Sequence, residues 1–181
     1  MCKIISPYFG TGFFCDMDNK NINFPFKKAL FTAYHVLDEN NIEINKEIKF
    51  EYLNKINIIK MTKNRKKYTN KELDYTCIEI FDTDNINNFF KIDTKIFDNK
   101  IYLKNKGIFI LQYPKGDKIC LDSGIILDIN NNIIQHNVPT KPGSSGSPLI
   151  NRDNNIILGI HIGSLEDEIY YILFKILLIN I

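Results

Sequence analysis

Short apolar runs separated by turn residues fill most of this chain. Runs at 10–15, 29–33, 47–53, 56–61 and 75–81 have the length and the β-branched or aromatic content of strands. After a polar stretch at 82–88, a second set follows at 101–103, 108–112, 119–129, 133–135, 148–150 and 156–162. No 3.6-residue periodicity is sustained ahead of the C-terminal tail. The pattern predicts an all-β protein, and pattern alone leaves sandwich and barrel both open. The 82–88 stretch can join two halves. The last apolar run, 169–179, is interrupted by Lys175 and reads as a docked helix or strand.

Composition narrows this only a little. A chain of 181 residues suits one ordinary domain or two small barrels sharing an interface. A hydrophobic fraction of 44% supports a sizeable core, and a net charge of +2 points to neither nucleic acid nor a membrane surface. The start of the chain is too short in apolar run for a signal peptide, and no stretch reaches the length of a membrane span. A cytoplasmic protein is therefore expected. Its four cysteines then read as free, buried thiols in a reducing compartment. No His, Cys, Asp or Glu spacing predicts a zinc site, and no cofactor is expected. The basic cluster 63–67 reads as a solvated loop. Gly10-Thr11-Gly12 lacks the third glycine of a dinucleotide fingerprint and reads as a strand kink.

The candidate chemistry lies in Pro142-Gly143-Ser144-Ser145-Gly146-Ser147-Pro148. A serine in a glycine-rich turn, followed at once by an apolar strand, is placed to act as a nucleophile. Backbone N–H groups beside it can hold an oxyanion. A serine hydroxyl needs an adjacent base, and the base needs a carboxylate to orient it. Phe31-Thr32-Ala33-Tyr34-His35 places a histidine just after an apolar run, and Asp74 heads the strand-like run that follows it. The candidates are therefore His35, Asp74 and Ser145, in that chain order. Asp82 and Asp84 are rivals for the acid, and Ser144 and Ser147 for the nucleophile.

At these motifs the chain resembles the trypsin-like serine proteases of the chymotrypsin fold, most of all the branch with the HtrA proteases and the V8-like glutamyl endopeptidases. Thr32-Ala33-Tyr34-His35-Val36, Asp74, Gly143-Ser144-Ser145-Gly146-Ser147-Pro148, Gly159-Ile160-His161 and Gly10-Thr11-Gly12-Phe13-Phe14 carry the resemblance. It implies two chymotrypsin-like β-barrels, about 1–84 and about 85–181, with the active site in the cleft between them and a short C-terminal helix. It also implies catalysis by His35, Asp74 and Ser145, with an oxyanion hole from the Gly143 and Ser145 amides.

Glutamyl endopeptidases carry Gly-Ile-His at the place of His161 and a threonine five residues before the serine, here Thr140. The resemblance thus implies a pocket for an acidic side chain, held by charge-assisted hydrogen bonds. His136 reads as wall or surface. Position 139 is proline, not the aspartate of an Arg/Lys pocket, and Ser144 stands where trypsin has the aspartate that pairs with a new N-terminus. Activation by cleavage is therefore not expected. The reading is a serine endopeptidase acting on protein or peptide substrates. The competing readings are a silent protease-like module that holds peptides, and a nucleic-acid binder resting on 63–67 alone.

Overall fold

The computed structural model describes residues 1–5, 8–18, 24–92, 101–130, 133–165 and 169–173. Seven strands make the first half: β1 (Cys2–Ile4), β2 (Gly10–Asp16), β3 (Lys28–Thr32), β4 (Glu47–Tyr52), β5 (Lys55–Lys60), β6 (Lys67–Asn70) and β7 (Tyr75–Glu79). They form one antiparallel sheet in the order β5-β4-β1-β2-β3-β7-β6. The sheet curls at β2, whose residues 10–12 pair with β1 while residues 13–16 pair with β3.

The second half is a closed barrel of β8 (Gly107–Gln112), β9 (Cys120–Asn130), β10 (Ile133–His136), β11 (Pro148–Asn151), β12 (Ile157–Leu165) and β13 (Ile169–Leu173). Its order is β10-β13-β12-β11-β8-β9. The all-β expectation holds, with two qualifications. The first sheet curls without closing by strand pairing. And residues 169–173 are not helical: β13 pairs with β10 and β12 and completes the barrel. Residues 174–181, where the rest of the expected helix falls, lie outside the described residues.

Strands β2, β3 and β7 are buried on both faces, so their apolar runs are nearly continuous instead of alternating. Phe14, Leu30 and Ile78 face a cluster with Ile48, Phe50 and Leu37 inside the curl of the first sheet. Their chain neighbours Phe13, Phe31 and Cys77 face the other way, into a cluster that continues through Ile110, Leu149 and Ile160 of the barrel. One apolar cluster therefore spans both halves, and Phe13 and Phe31 stack within it at 5.7 Å. The connecting chain is stitched to both: Phe90 N–H donates to Phe14 C=O at 2.8 Å, and Ile157 N–H donates to Lys91 C=O at 2.9 Å.

Several strands escape the apolar pattern. β1 has three residues, of which only Cys2 and Ile4 point inward. β6 (Lys-Tyr-Thr-Asn) has no buried residue and is held by its pairing to β7. The 101–103 run forms a 3-10 turn. Gly10 and Gly12 lie in β2, and both pair in register with β1. A Cβ at Gly10 would lie 2.6 Å from Val36, so the missing side chain lets the turn that carries His35 sit against β2.

The basic cluster also differs from expectation. Arg65 is 7% exposed. It donates to Lys60 C=O at 3.1 Å, to Glu79 C=O at 2.6 Å, and through both terminal nitrogens to Asp84 at 2.7 and 2.9 Å. It thus ties the end of edge strand β5 to the end of β7, where no strand pairing does so. Lys66 reaches Pro25 C=O at 2.7 Å and Lys67 bonds Ile42 C=O. Arg65 is thus used inside the fold, whereas Lys66 stays exposed. Arg65→Met strands the buried Asp84 carboxylate without a cation, a loss of about 3–5 kcal/mol. Urea unfolding should show a clear drop for Arg65→Met and almost none for Lys63→Met; equal, small effects would contradict this role.

Candidate active site

The turn after β3 carries His35. Val36 and Leu37 N–H both return to Ala33 C=O, and the Thr76 hydroxyl on β7 donates to Leu37 C=O at 2.6 Å. Asp74 ends the 71–74 turn that feeds β7. Its φ is +47°, the left-handed region that a short polar side chain tolerates. In this conformation it meets the His35 turn three times. Tyr34 N–H donates to its carbonyl at 3.1 Å, His35 N–H donates to Oδ1 at 2.9 Å, and His35 Nδ1 lies 2.7 Å from Oδ2. With Nδ1–H donating to the carboxylate, the neutral ring presents Nε2 as an acceptor.

The rival acids are committed elsewhere. Asp84 holds Arg65, and Asp82 pairs with Lys28 at 2.6 Å on the surface. The histidines separate as well. The His35 side chain is 48% exposed, whereas His136 and His161 are buried. Among the serines, Ser144 and Ser147 are fully buried and only Ser145 is partly open. Ser144 Oγ accepts from Lys141 N–H at 3.1 Å, which closes the turn with a neutral group.

The loop around Ser145 is fixed peptide by peptide. In a trans peptide the C=O and the following N–H point opposite ways. Pro142 C=O accepts from Lys115 N–H at 2.5 Å, which turns the Gly143 N–H away from the 114–116 turn. Gly143 C=O accepts from the Thr11 hydroxyl at 2.9 Å, and Ser144 N–H goes to Lys141 C=O at 2.9 Å. Ser144 C=O accepts from Ser147 N–H, Ser145 C=O accepts from Thr11 N–H at 2.8 Å, and Gly146 N–H goes to His161 C=O at 2.7 Å. Among the described residues, the Gly143 and Ser145 amides are the two of residues 143–147 without a backbone acceptor.

Gly146 brings this loop against the His35 segment. Its φ is +84°, and a Cβ there would lie 2.0 Å from Thr11 C=O, 2.4 Å from Thr32 Oγ1 and 3.0 Å from Ala33 N. Only glycine fits. Thr32 and Ala33 precede the turn that carries His35, so this contact packs the serine loop onto the His35 segment.

His161 lies in β12, 3% exposed, with its ring 5.9 Å from that of His136. His136 Nδ1 accepts from Val138 N–H at 3.0 Å, so its proton sits on Nε2. Burial pushes the His136 pKa down to about 4; burial first, then His136 and His35, push His161 down to about 3. Burial therefore keeps the His161 ring neutral near pH 7. Thr140 is half-buried in the segment leading to the loop, next to Pro139, whose carbonyl accepts from Gln112 Nε2 at 3.0 Å. A cleft of roughly 600 Å³ opens on the far side of Gly143, between Lys3, Glu51, Tyr113 and Lys118; it includes none of the six site residues read from the sequence. Sequence reasoning passed over Thr11, Thr32 and Gln112. A hydroxyl between two glycines of a buried strand was the available signal.

The fold agrees with what comparison finds. Residues 10–160 match the trypsin-like peptidase domain. The chain belongs to the trypsin-like peptidase family. Its structure is similar to the Rv3671c protease of Mycobacterium tuberculosis. The active form has a TM-score of 0.68 at 15% identity, over 95% of this chain and 73% of that one. An inactive form has a TM-score of 0.67 at 16% identity, over 95% and 81%. A serine endoprotease from Yersinia pestis is similar at a TM-score of 0.65 and 16% identity, over 95% of this chain but 56% of its own length. The fold is thus that of the chymotrypsin-like serine proteases, with protein or peptide substrates as the class. No helix among the described residues is long and apolar enough to cross a membrane.

The two buried histidines make stability depend on pH. Their folded pKa values lie below the ordinary value of 6.5, so the unfolded chain takes up protons first. Stability is full above about pH 6.5 and falls as the pH drops toward 4 and 3. Between pH 7 and pH 5 the loss should be on the order of 2 kcal/mol per histidine. Urea titrations at both pH values measure it, and His136→Gln should flatten the pH dependence. A stability unchanged from pH 7 to pH 5 would contradict the burial argument.

Proposed function

We propose that this chain is a serine endopeptidase whose triad is His35, Asp74 and Ser145. The observation that carries the reading is the pairing of His35 with Asp74 at 2.7 Å, beside a serine loop packed onto the two residues that precede the histidine turn. In this mechanism His35 Nε2 takes the Ser145 hydroxyl proton as Oγ attacks the scissile carbonyl carbon. Asp74 holds the ring in that tautomer and stabilises its protonated form. The Gly143 and Ser145 N–H groups receive the developing oxyanion. The tetrahedral intermediate collapses, His35 returns the proton to the leaving amine, and an acyl-enzyme on Ser145 remains. Water, deprotonated by His35, attacks that ester and releases the acid. The two halves, about 1–84 and 85–181, then each supply part of one site.

For the pocket we propose a preference for Glu before the cleaved bond, resting on Thr140 and His161. A neutral His161 ring can still donate one hydrogen bond to a carboxylate, and a bound carboxylate raises the ring's proton affinity.

The test is peptide hydrolysis with purified protein. Ser145→Ala and His35→Ala should each cut kcat by about a million-fold, the double variant no further, and Asp74→Asn by about ten-thousand-fold. A substrate library should show Glu favoured over Gln by about tenfold or more, with the preference lost in His161→Ala. Near-wild-type turnover by Ser145→Ala removes the triad assignment. A wild-type chain that binds peptides without cleaving them leaves the silent module. A preference for apolar or basic residues removes the acidic pocket alone.

A further inference from the structure

Thr11 is fully buried, and every polar atom it has is engaged at the serine loop or at what the loop packs on. Its N–H donates to Ser145 C=O at 2.8 Å. Its carbonyl accepts from Thr32 Oγ1 at 2.8 Å. Its hydroxyl donates to Gly143 C=O at 2.9 Å and accepts from Tyr113 N–H at 3.2 Å.

We infer that Thr11 is a positioning residue whose hydroxyl anchors Gly143, one of the two residues proposed to bind the oxyanion; the inference rests on the proposed peptidase mechanism. Gly143 sits at φ +93° with no side chain to limit its rotation. Nothing intrinsic to the residue fixes the plane of the peptide that follows it. The Thr11 hydroxyl holds that peptide at its carbonyl, as Ser144 N–H to Lys141 C=O holds it at its amide, and so anchors Gly143 next to the Pro142–Gly143 peptide that bears its own N–H. The Thr11 N–H fixes the Ser145–Gly146 peptide by holding Ser145 C=O. The two residues proposed to bind the oxyanion are thus both held by their carbonyls from one residue of β2, across a sequence separation of 132 residues for the hydroxyl bond. Through Tyr113 N–H the same oxygen also fastens the end of β8, next to the 114–116 turn that holds Pro142 C=O. An oxyanion hole acts by being oriented before charge develops, so a Gly143 loosened at its carbonyl loses transition-state stabilisation while substrate binding is spared.

The experiment compares wild type with Thr11→Val, which keeps the shape and loses the hydroxyl, Thr11→Ala, and Thr11→Ser, which keeps the hydroxyl. The readouts are kcat and KM on the best peptide substrate, and inhibition by the matching peptide aldehyde, whose serine adduct places an oxyanion in the hole. Thr11→Val and Thr11→Ala should lose about tenfold to a hundredfold in kcat with KM little changed, and aldehyde affinity should fall in parallel. Thr11→Ser should recover to within about threefold of wild type. Three results overturn the role: a kcat loss under about threefold in Thr11→Val, a loss that appears in KM instead, or a serine variant as slow as the valine one. Failure of both Val and Ala variants to fold also overturns it, because the hydroxyl is then structural. Ser145→Ala runs alongside. If it keeps turnover, the mechanism and this inference fall together; if it is dead while Thr11→Val is normal, only this inference falls.

Discussion

The meeting of the serine loop with β2 and the end of β3 is the contact on which the rest of the structure depends. His35 and Asp74 belong to the first sheet and Ser145 to the barrel, so no local stretch of chain can bring them together. The join is made by backbone groups and one glycine: Thr11 holds Ser145 and Gly143 by their carbonyls, and Gly146 gives up its side chain so that Thr11, Thr32 and Ala33 can approach. Any side chain at Gly146 would push the loop off the His35 segment. Hydrogen bonds of this kind are each modest in net energy, about 1 kcal/mol. Their value lies in direction: buried groups left without partners would cost more than the bonds gain, so the loop has one arrangement.

Behind that contact the two halves share apolar packing. β2, β3 and β7 present one face to each of two clusters, and the cluster on the barrel side is continuous with the barrel interior. Relative movement of the halves would open it. His35 and Asp74 sit on turns beside the ends of β3 and β7, where the backbone can take conformations a strand cannot. Asp74 at φ +47° is the clearest case, since the unusual backbone is what points its carboxylate at His35.

The sequence made much of this legible, for physical reasons that differ by element. Strands buried on both faces announce themselves as apolar runs, which is why β2, β3 and β7 were readable. β6 has a polar pattern and exists because β7 offers it a ladder, so nothing local predicts it. β13 read equally as helix or strand, and the need to close the barrel decides for strand. Arg65 looked like part of a solvated cluster because charge in sequence carries no information on burial; only the gap between β5 and β7 explains its place. The pairing of His35 with Asp74 was legible through their neighbours, whereas the bonds of Thr11 to the serine loop were not, because they reach residues more than a hundred positions away. The charge state of His161 was also beyond the sequence, since it depends on how deeply β12 is covered.

The central claim is that Ser145 is a nucleophile activated by His35. Covalent labelling with a fluorophosphonate, followed by mass mapping of the modified peptide, tests it most directly. The account predicts a single adduct on Ser145 in the wild-type protein and none in His35→Ala at the same exposure. An adduct on another serine, or equal labelling of Ser145 with and without the histidine, would contradict it.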